Sequence, residues 1–214
     1  KMCHFGESHL WKLENQQLSD AKSLERSTTC MSFARKGEIV LTGRDDGTLT
    51  QWSARTGEQR SESHPAPGNS QSRGARNTLW SMIVGQDGES VLTTHLTQEQ
   101  GRIQFDARFW NWSTGKMSTP SMRIPGFPRS ISLSGDGQFF AVGLTSFPSP
   151  KSKKLQGAAL IYRTTSGQPI RVMPHQRPVW SVALSSDARL LATGCEDSRL
   201  RLFDVASGDA IGKP

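Results

Sequence analysis

Cysteine is scarce in this sequence: Cys3, Cys30 and Cys195 stand alone and far apart. An odd, sparse set excludes a disulfide framework and fits a reducing compartment, where the thiols serve as small buried hydrophobes. Long apolar runs are missing as well. No stretch of 18 apolar residues occurs, so no membrane span is expected. The start, Lys1-Met2-Cys3-His4-Phe5-Gly6, lacks the apolar segment of a signal peptide. These absences point to a cytoplasmic protein. The chain does not begin with Met and stops inside a repeat, so it reads as a piece of something longer, with room for a leader or partner domain outside it.

Catalytic patterns are also lacking. There is no His-Glu-x-x-His, no phosphate-cradling glycine loop and no cysteine pair at zinc spacing. Ser19-Asp20-Ala21-Lys22 matches a Ser-x-x-Lys string on a polar segment, which is a chance spacing. Cys3, His4 and His9 sit at the chain start and are not read as metal ligands. The expectation is a chain with no enzymatic activity, no cofactor and no metal. The net charge of +7 could attract nucleic acid, but the basic residues are spread along the chain. The one tight cluster, Lys151, Lys153 and Lys154, lies in a Pro/Ser-rich stretch and reads as a solvated loop. Nucleic acid is therefore not the expected partner.

What is present is a repeat. Met31–Gly37, Met82–Gly88, Ile131–Gly137 and Val182–Ala188 are each a short strand running into a tight turn. Apolar strands follow at Ile39–Thr42, Val91–Thr94, Phe139–Val142 and Leu190–Thr193. A third strand then ends in an aromatic: Trp52, Trp110, Tyr162 and Phe203. Gly57, Gly115, Gly167 and Gly208 lie five residues beyond. Trp11 occupies the same position in an incomplete earlier unit, and all five aromatics are expected in the core. Lys36 to Trp52 and Asp187 to Phe203 span 16 residues, while Trp11 to Lys36 and Tyr162 to Asp187 span 25. The base period is therefore 41. Short strands at that period predict β-propeller blades, which bury their faces by stacking.

At these residues the chain resembles the WD40 repeat family. The clearest unit runs from His175 through Val179-Trp180-Ser181-Val182 and Thr193-Gly194 to Phe203-Asp204, with Phe203 where the family has Trp. The resemblance implies an all-β propeller. It assigns about four and a half blades here, with 1–21 a partial blade and 22–65, 78–120, 125–173 and 175–214 the others, of a ring of about seven. The ending Asp204–Pro214 is similar to bacterial WD40 arrays that often follow signalling domains such as Ser/Thr protein kinases. The family braces blades with a buried His, Ser/Thr, Asp and Trp chain. Its surviving members by position are His175, Thr193 and Asp197 in one blade and Thr42, Asp46 and Trp52 in another. In the other two, Gln104 and Gln156 stand where Asp belongs, which implies bracing by packing. The implied function is a non-catalytic scaffold for other proteins or peptides. The alternative is a regulatory or sensor array of a larger bacterial signalling protein.

Departures from the base period fall at Ser61–Asn77, Leu96–Gln104 and Thr145–Gly157. In this type of propeller all three loops emerge on one face, which marks a binding face. The residues opening each inner strand on that side are Thr29, Trp80, Arg129 and Trp180, types favoured at interfaces. Trp80, Arg129 and Trp180, with the lysine cluster, are the candidate partner-binding residues. Packing between blades is the competing role for the two tryptophans. A cut ring also leaves uncovered apolar faces, around Met31 or Trp11 at one end and Val182 and Leu202 at the other, through which the chain could self-associate.

Overall fold

The structure is a computed structural model, describing residues 9–14, 17–24, 27–65, 76–99, 102–147 and 156–212. It is all-β. Sheet I pairs β1 (His9–Glu14) with β2 (Gln17–Ser23). Sheet II holds β3 (Thr28–Ala34), β4 (Ile39–Arg44), β5 (Thr48–Ser53) and β6 (Gln59–Pro65). Sheet III holds β7 (Arg76–Val84), β8 (Ser90–Glu99), β9 (Arg102–Asn111) and β10 (Met122–Ile124). Sheet IV holds β11 (Phe127–Leu133), β12 (Phe139–Phe147), β13 (Gln156–Arg163) and β14 (Pro169–His175). Sheet V holds β15 (Val179–Leu184), β16 (Leu190–Cys195), β17 (Leu200–Asp204) and β18 (Ala210–Ile211). Each four-stranded sheet is an antiparallel meander in chain order, the architecture of a propeller blade. Among the described residues the sole helical element is the 3-10 turn Arg35–Gly37.

The inner turns of sheets IV and V follow directly from the Ser-x-Asp sequence. Ser134 Oγ donates to Asp136 Oδ1 at 2.6 Å, and the same carboxylate accepts Gln138 N–H. Ser134 Oγ in turn accepts Phe139 N–H. Ser185, Asp187, Arg189 and Leu190 repeat this pattern. Side-chain oxygens thus satisfy the turn's backbone donors and hand the chain to the next strand.

Side chains alternate across a strand, so each sheet contributes one residue set to each neighbour. Val40 and Trp52 face sheet I, joined by Leu10 and Leu24. Ile39, Leu41 and Leu49 face sheet III, where they meet Leu79, Val91 and Trp110. Phe105, Met122 and Ile124 meet Phe140, Leu160 and Tyr162 across the III–IV seam. Ala141, Ala159 and Ile161 meet Val179, Val182 and Phe203 across the IV–V seam. Polar contacts reinforce this last seam: Ser130 Oγ accepts Val182 N–H and Ser132 Oγ accepts Leu184 N–H, at 3.2 and 3.0 Å.

Several expectations are revised. Trp52, Trp110, Tyr162 and Phe203 are buried, but Trp11 is 56% exposed. Leu10, one residue earlier, takes the inward place against Val40 and Trp52, and period-two alternation turns Trp11 outward. The excess at Leu96–Gln104 is not a loop: β8 and β9 pair continuously from Ser90↔Asn111 to Glu99↔Arg102, so the added residues lengthen a hairpin. Residues 66–75 and 148–155, with Lys151, Lys153 and Lys154, lie outside the described residues. The outer strand of sheet III reaches Ile124, beyond position 120, and His175 closes β14 of sheet IV rather than opening sheet V. In sheet V, Val182 is buried against sheet IV, and the exposed large apolar residues are Trp180, Leu190, Leu200 and Ile211, led by Leu200 at 68%.

The IV–V seam is so close at Gly157 that a Cβ there would lie 2.2 Å from Arg177 O and 2.7 Å from Val179 N. Backbone atoms cannot swing aside as a side chain does. At Gly194 the nearest atom, Ser181 Cβ, is 3.6 Å away, an ordinary contact. Gly157→Ala is expected to lower stability by about 1–3 kcal/mol, the usual range for overpacking. Gly194→Ala is expected to have little effect. Urea unfolding of both variants checks the difference.

Candidate functional site

The four inner strands share one irregularity. In each, two consecutive partners on the second strand face three residues on the first. Thr28 and Cys30 pair with Arg44 and Gly43, so Thr29 is the extra residue. Leu79 and Ser81 pair with His95 and Thr94, leaving Trp80. Pro128 and Ser130 pair with Leu144 and Gly143, leaving Arg129. Val179 and Ser181 pair with Cys195 and Gly194, leaving Trp180. These are β-bulges, which free one residue from the ladder and re-aim its side chain. Thr29, Trp80, Arg129 and Trp180 thus form one structural row.

The row is not uniform. Thr29 Oγ1 donates to Gly43 O at 3.0 Å within its own sheet. Trp80 is half-buried in the III–IV seam, edge-to-face with Phe105 and Phe127, and its Nε1–H donates to Pro128 O at 3.0 Å. Its indole is held in packing between blades. Trp180 is 43% exposed, and the Arg129 guanidinium lies 4.6 Å from its ring centroid. Arg129 and Trp180 therefore form the accessible part of the row.

Behind it lie the polar chains that hold the second strands. At sheet V, His175 from the end of β14 has its Nε2 3.0 Å from Thr193 Oγ1 and its Nδ1 2.9 Å from Met173 O, so His175 and Thr193 come together across the IV–V seam. Asp197 does not join them. Its carboxylate pairs with Arg201 at 2.5 Å and accepts Arg199 N–H, because Arg201 lies on the adjacent strand with a full charge to neutralise. Phe203 packs edge-to-face against His175 in place of an indole donor. In sheet II, Trp52 Nε1–H donates to Thr42 Oγ1 at 2.8 Å, while Asp46 caps Thr48 and pairs with Arg44.

Sheet III also has such a chain, where bracing mainly by packing was expected. Trp110 Nε1–H donates to Thr93 Oγ1 at 3.0 Å, and His95 Nε2 is 2.9 Å from the same oxygen. Asp106 pairs with the buried Arg108 at 2.7 Å. The signal for His95 was the i, i+2 spacing from Thr93, which puts both on one face of β8. In sheet IV, Val142 takes the threonine position, and Phe140 stacks on Tyr162 at 4.9 Å instead.

An open cavity of about 570 Å³ lies beside β10 and the β13–β14 turn, lined in part by Pro120, Pro125, Tyr162 and Pro169. No set of three or more His, Cys, Asp or Glu side chains gathers as a metal site among the described residues. No helix among them is long and apolar enough to cross a membrane.

The family model "WD domain, G-beta repeat" matches residues 22–53 and 167–204, from β2 through β5 and from the β13–β14 turn through β17. Over these two segments the chain is similar to WD40 repeats. The chain is 23% identical over 209 residues to human angio-associated migratory cell protein, covering 95% of this chain and 41% of the relative. It is 24% identical over 210 residues to mouse telomerase protein component 1, covering 97% of this chain and 7% of that protein. It is 21% identical over 198 residues to eukaryotic translation initiation factor 3 subunit I from Eremothecium gossypii, covering 87% of this chain and 51% of that subunit. The chain therefore spans about half or less of each of these relatives. WD40 repeats generally act as platforms for other proteins.

Both buried imidazoles are held below the ordinary value of 6.5. Burial is the main cause at His95, aided by the Arg108 charge. At His175 burial again leads, and the Met173 carbonyl pulls the other way. Each ring is neutral in the fold and would gain a proton more readily when unfolded. Their contribution is full above about pH 6.5 and is lost as pH falls through that value. The melting temperature is expected to drop between pH 7.5 and pH 5, and His175→Gln to flatten that slope, as calorimetry across the range would check. Thr93→Val removes the oxygen shared by Trp110 and His95. A loss of about 1–3 kcal/mol in denaturant unfolding is expected.

Proposed function

We propose that this chain is a non-catalytic, cytoplasmic scaffold that binds other proteins or peptides through the row of bulged residues on its inner strands. The observation that carries the reading is the repetition of the bulge at the same register in four successive sheets. A bulge interrupts the ladder, so four of them at one level are features to be used rather than packing accidents. An exposed tryptophan and an arginine in that row have the chemistry of interface anchors. The relatives agree in kind: one is named as a component of telomerase and another as a subunit of a translation initiation factor, both parts of larger assemblies. Lys151, Lys153 and Lys154 would enlarge the same binding face. Within a longer protein, the same face would serve as the regulatory or sensor arm of a bacterial signalling enzyme such as a Ser/Thr kinase, the alternative suggested by the ending Asp204–Pro214.

A photo-crosslinking amino acid placed at position 180 tests the reading. Partner proteins are expected to be captured there and not when the same group replaces Ser207, which lies in the β17–β18 turn. Equal capture at both positions, or none at 180, would remove the bulge row as the binding surface.

A further inference from the structure

The Arg129–Trp180 pair has a chemistry that goes beyond a generic interface anchor. Of the described arginines that are not exposed, Arg44, Arg108 and Arg201 each face a carboxylate: Asp46 at 3.1 Å, Asp106 at 2.7 Å and Asp197 at 2.5 Å. Arg129 faces none. Its Nε is buried without an acceptor, and the guanidinium lies against Trp180. A partly desolvated cation with no counter-charge is costly. The ring offsets some of that cost, since a cation over an indole is attracted by the ring's negative face. The ring covers one face of the guanidinium and makes no hydrogen bond to its edge. The terminal Nη groups make no bond within the described residues and are not enclosed as Nε is. They form a flat fork of N–H donors, which matches a carboxylate.

Resting on the protein-binding reading above, we infer that Arg129 and Trp180 form a seat for an acidic side chain, Glu or Asp, of an extended segment in a partner protein. The carboxylate meets the Nη fork end-on and supplies the missing counter-charge. Trp180, stacked and half-exposed, fixes the plane of the fork and offers an apolar surface to the residue beside the acid. Nearby acids on the chain do not fill the seat. Glu196 is turned to Arg177, and Asp197 is committed to Arg201.

The test uses the 214-residue chain and fluorescein-labelled heptapeptide pools with random flanks and a fixed central Glu, Gln or phosphoserine. Fluorescence anisotropy reads the binding. The Glu pool is expected to bind about tenfold or more tightly than the Gln pool, the factor for a charge-assisted pair. Arg129→Gln is expected to abolish that preference while leaving the melting temperature in place, and Arg129→Lys to restore part of it. Trp180→Ala is expected to weaken both pools. Arg163→Gln is the control, because Arg163 stacks on Phe139 at 4.8 Å with no part in the bulge row. It should leave the preference intact. Equal binding of Glu and Gln pools, or a Glu preference that survives in Arg129→Gln, overturns the acidic seat and leaves protein binding standing. Arg129-dependent binding of the phosphoserine pool alone overturns it in favour of a phosphorylated partner. Binding of no pool overturns the seat, while capture at position 180 still decides the scaffold reading separately.

Discussion

A small sheet has two faces, and four strands cannot curl far enough to cover either. Everything else in this chain depends on that constraint. The alternation of side chains splits each sheet's apolar residues into two sets, and each set is covered by a different neighbour. Val40 and Ile39 are adjacent in sequence yet belong to different seams. So do Phe140 and Ala141. No sheet has a core of its own, and stability is a sum over contacts between neighbours. Close approach of backbones, as at Gly157 against Arg177 and Val179, is a requirement of the same arrangement.

Polar bracing is added to this packing unevenly. The threonine at the fourth position of the second strand is the fixed point in sheets II, III and V, as Thr42, Thr93 and Thr193. Around it the partners change. Among the described residues an indole reaches Thr42, an indole and an imidazole reach Thr93, and an imidazole reaches Thr193. Where Val142 takes the place, aromatic stacking is sufficient. A buried hydroxyl accepts and donates at once, so it can be served from either side, and the loss of one partner does not remove the need for the other.

The turns, the strand order and the buried aromatics were readable because each depends on local chemistry: a Ser-x-Asp turn, a run of β-formers, a bulky ring at fixed spacing. Trp11 was not, since inward or outward orientation depends on register, and Leu10 was equally able to fill the space. His95 was missed because the sequence pattern places histidine ahead of the inner strand, whereas the geometry needs only a ring on the same face as Thr93. The hairpin at Leu96–Gln104 looked like an insertion because length alone does not distinguish a loop from two longer strands. The bulges were invisible for a related reason: an extra residue in one strand is defined only by its partner. Thr29, Trp80, Arg129 and Trp180 were nevertheless aligned correctly by counting from the turns, so their place in the repeat was legible before their role in the ladder.

The hydroxyls of Ser130 and Ser132 have a consequence for how another chain can approach. A strand with one unpaired side is a template on which a foreign strand can grow. β15 is such a strand, the innermost of sheet V. Yet Val182 and Leu184 already give their N–H groups to those two serines, and Ser186 O accepts Gly135 N–H just beyond. The template is occupied by side chains and a turn from the sheet before it. A partner arriving at this inner edge finds these N–H groups taken, which favours recognition through side chains over the main-chain pairing that extends a sheet.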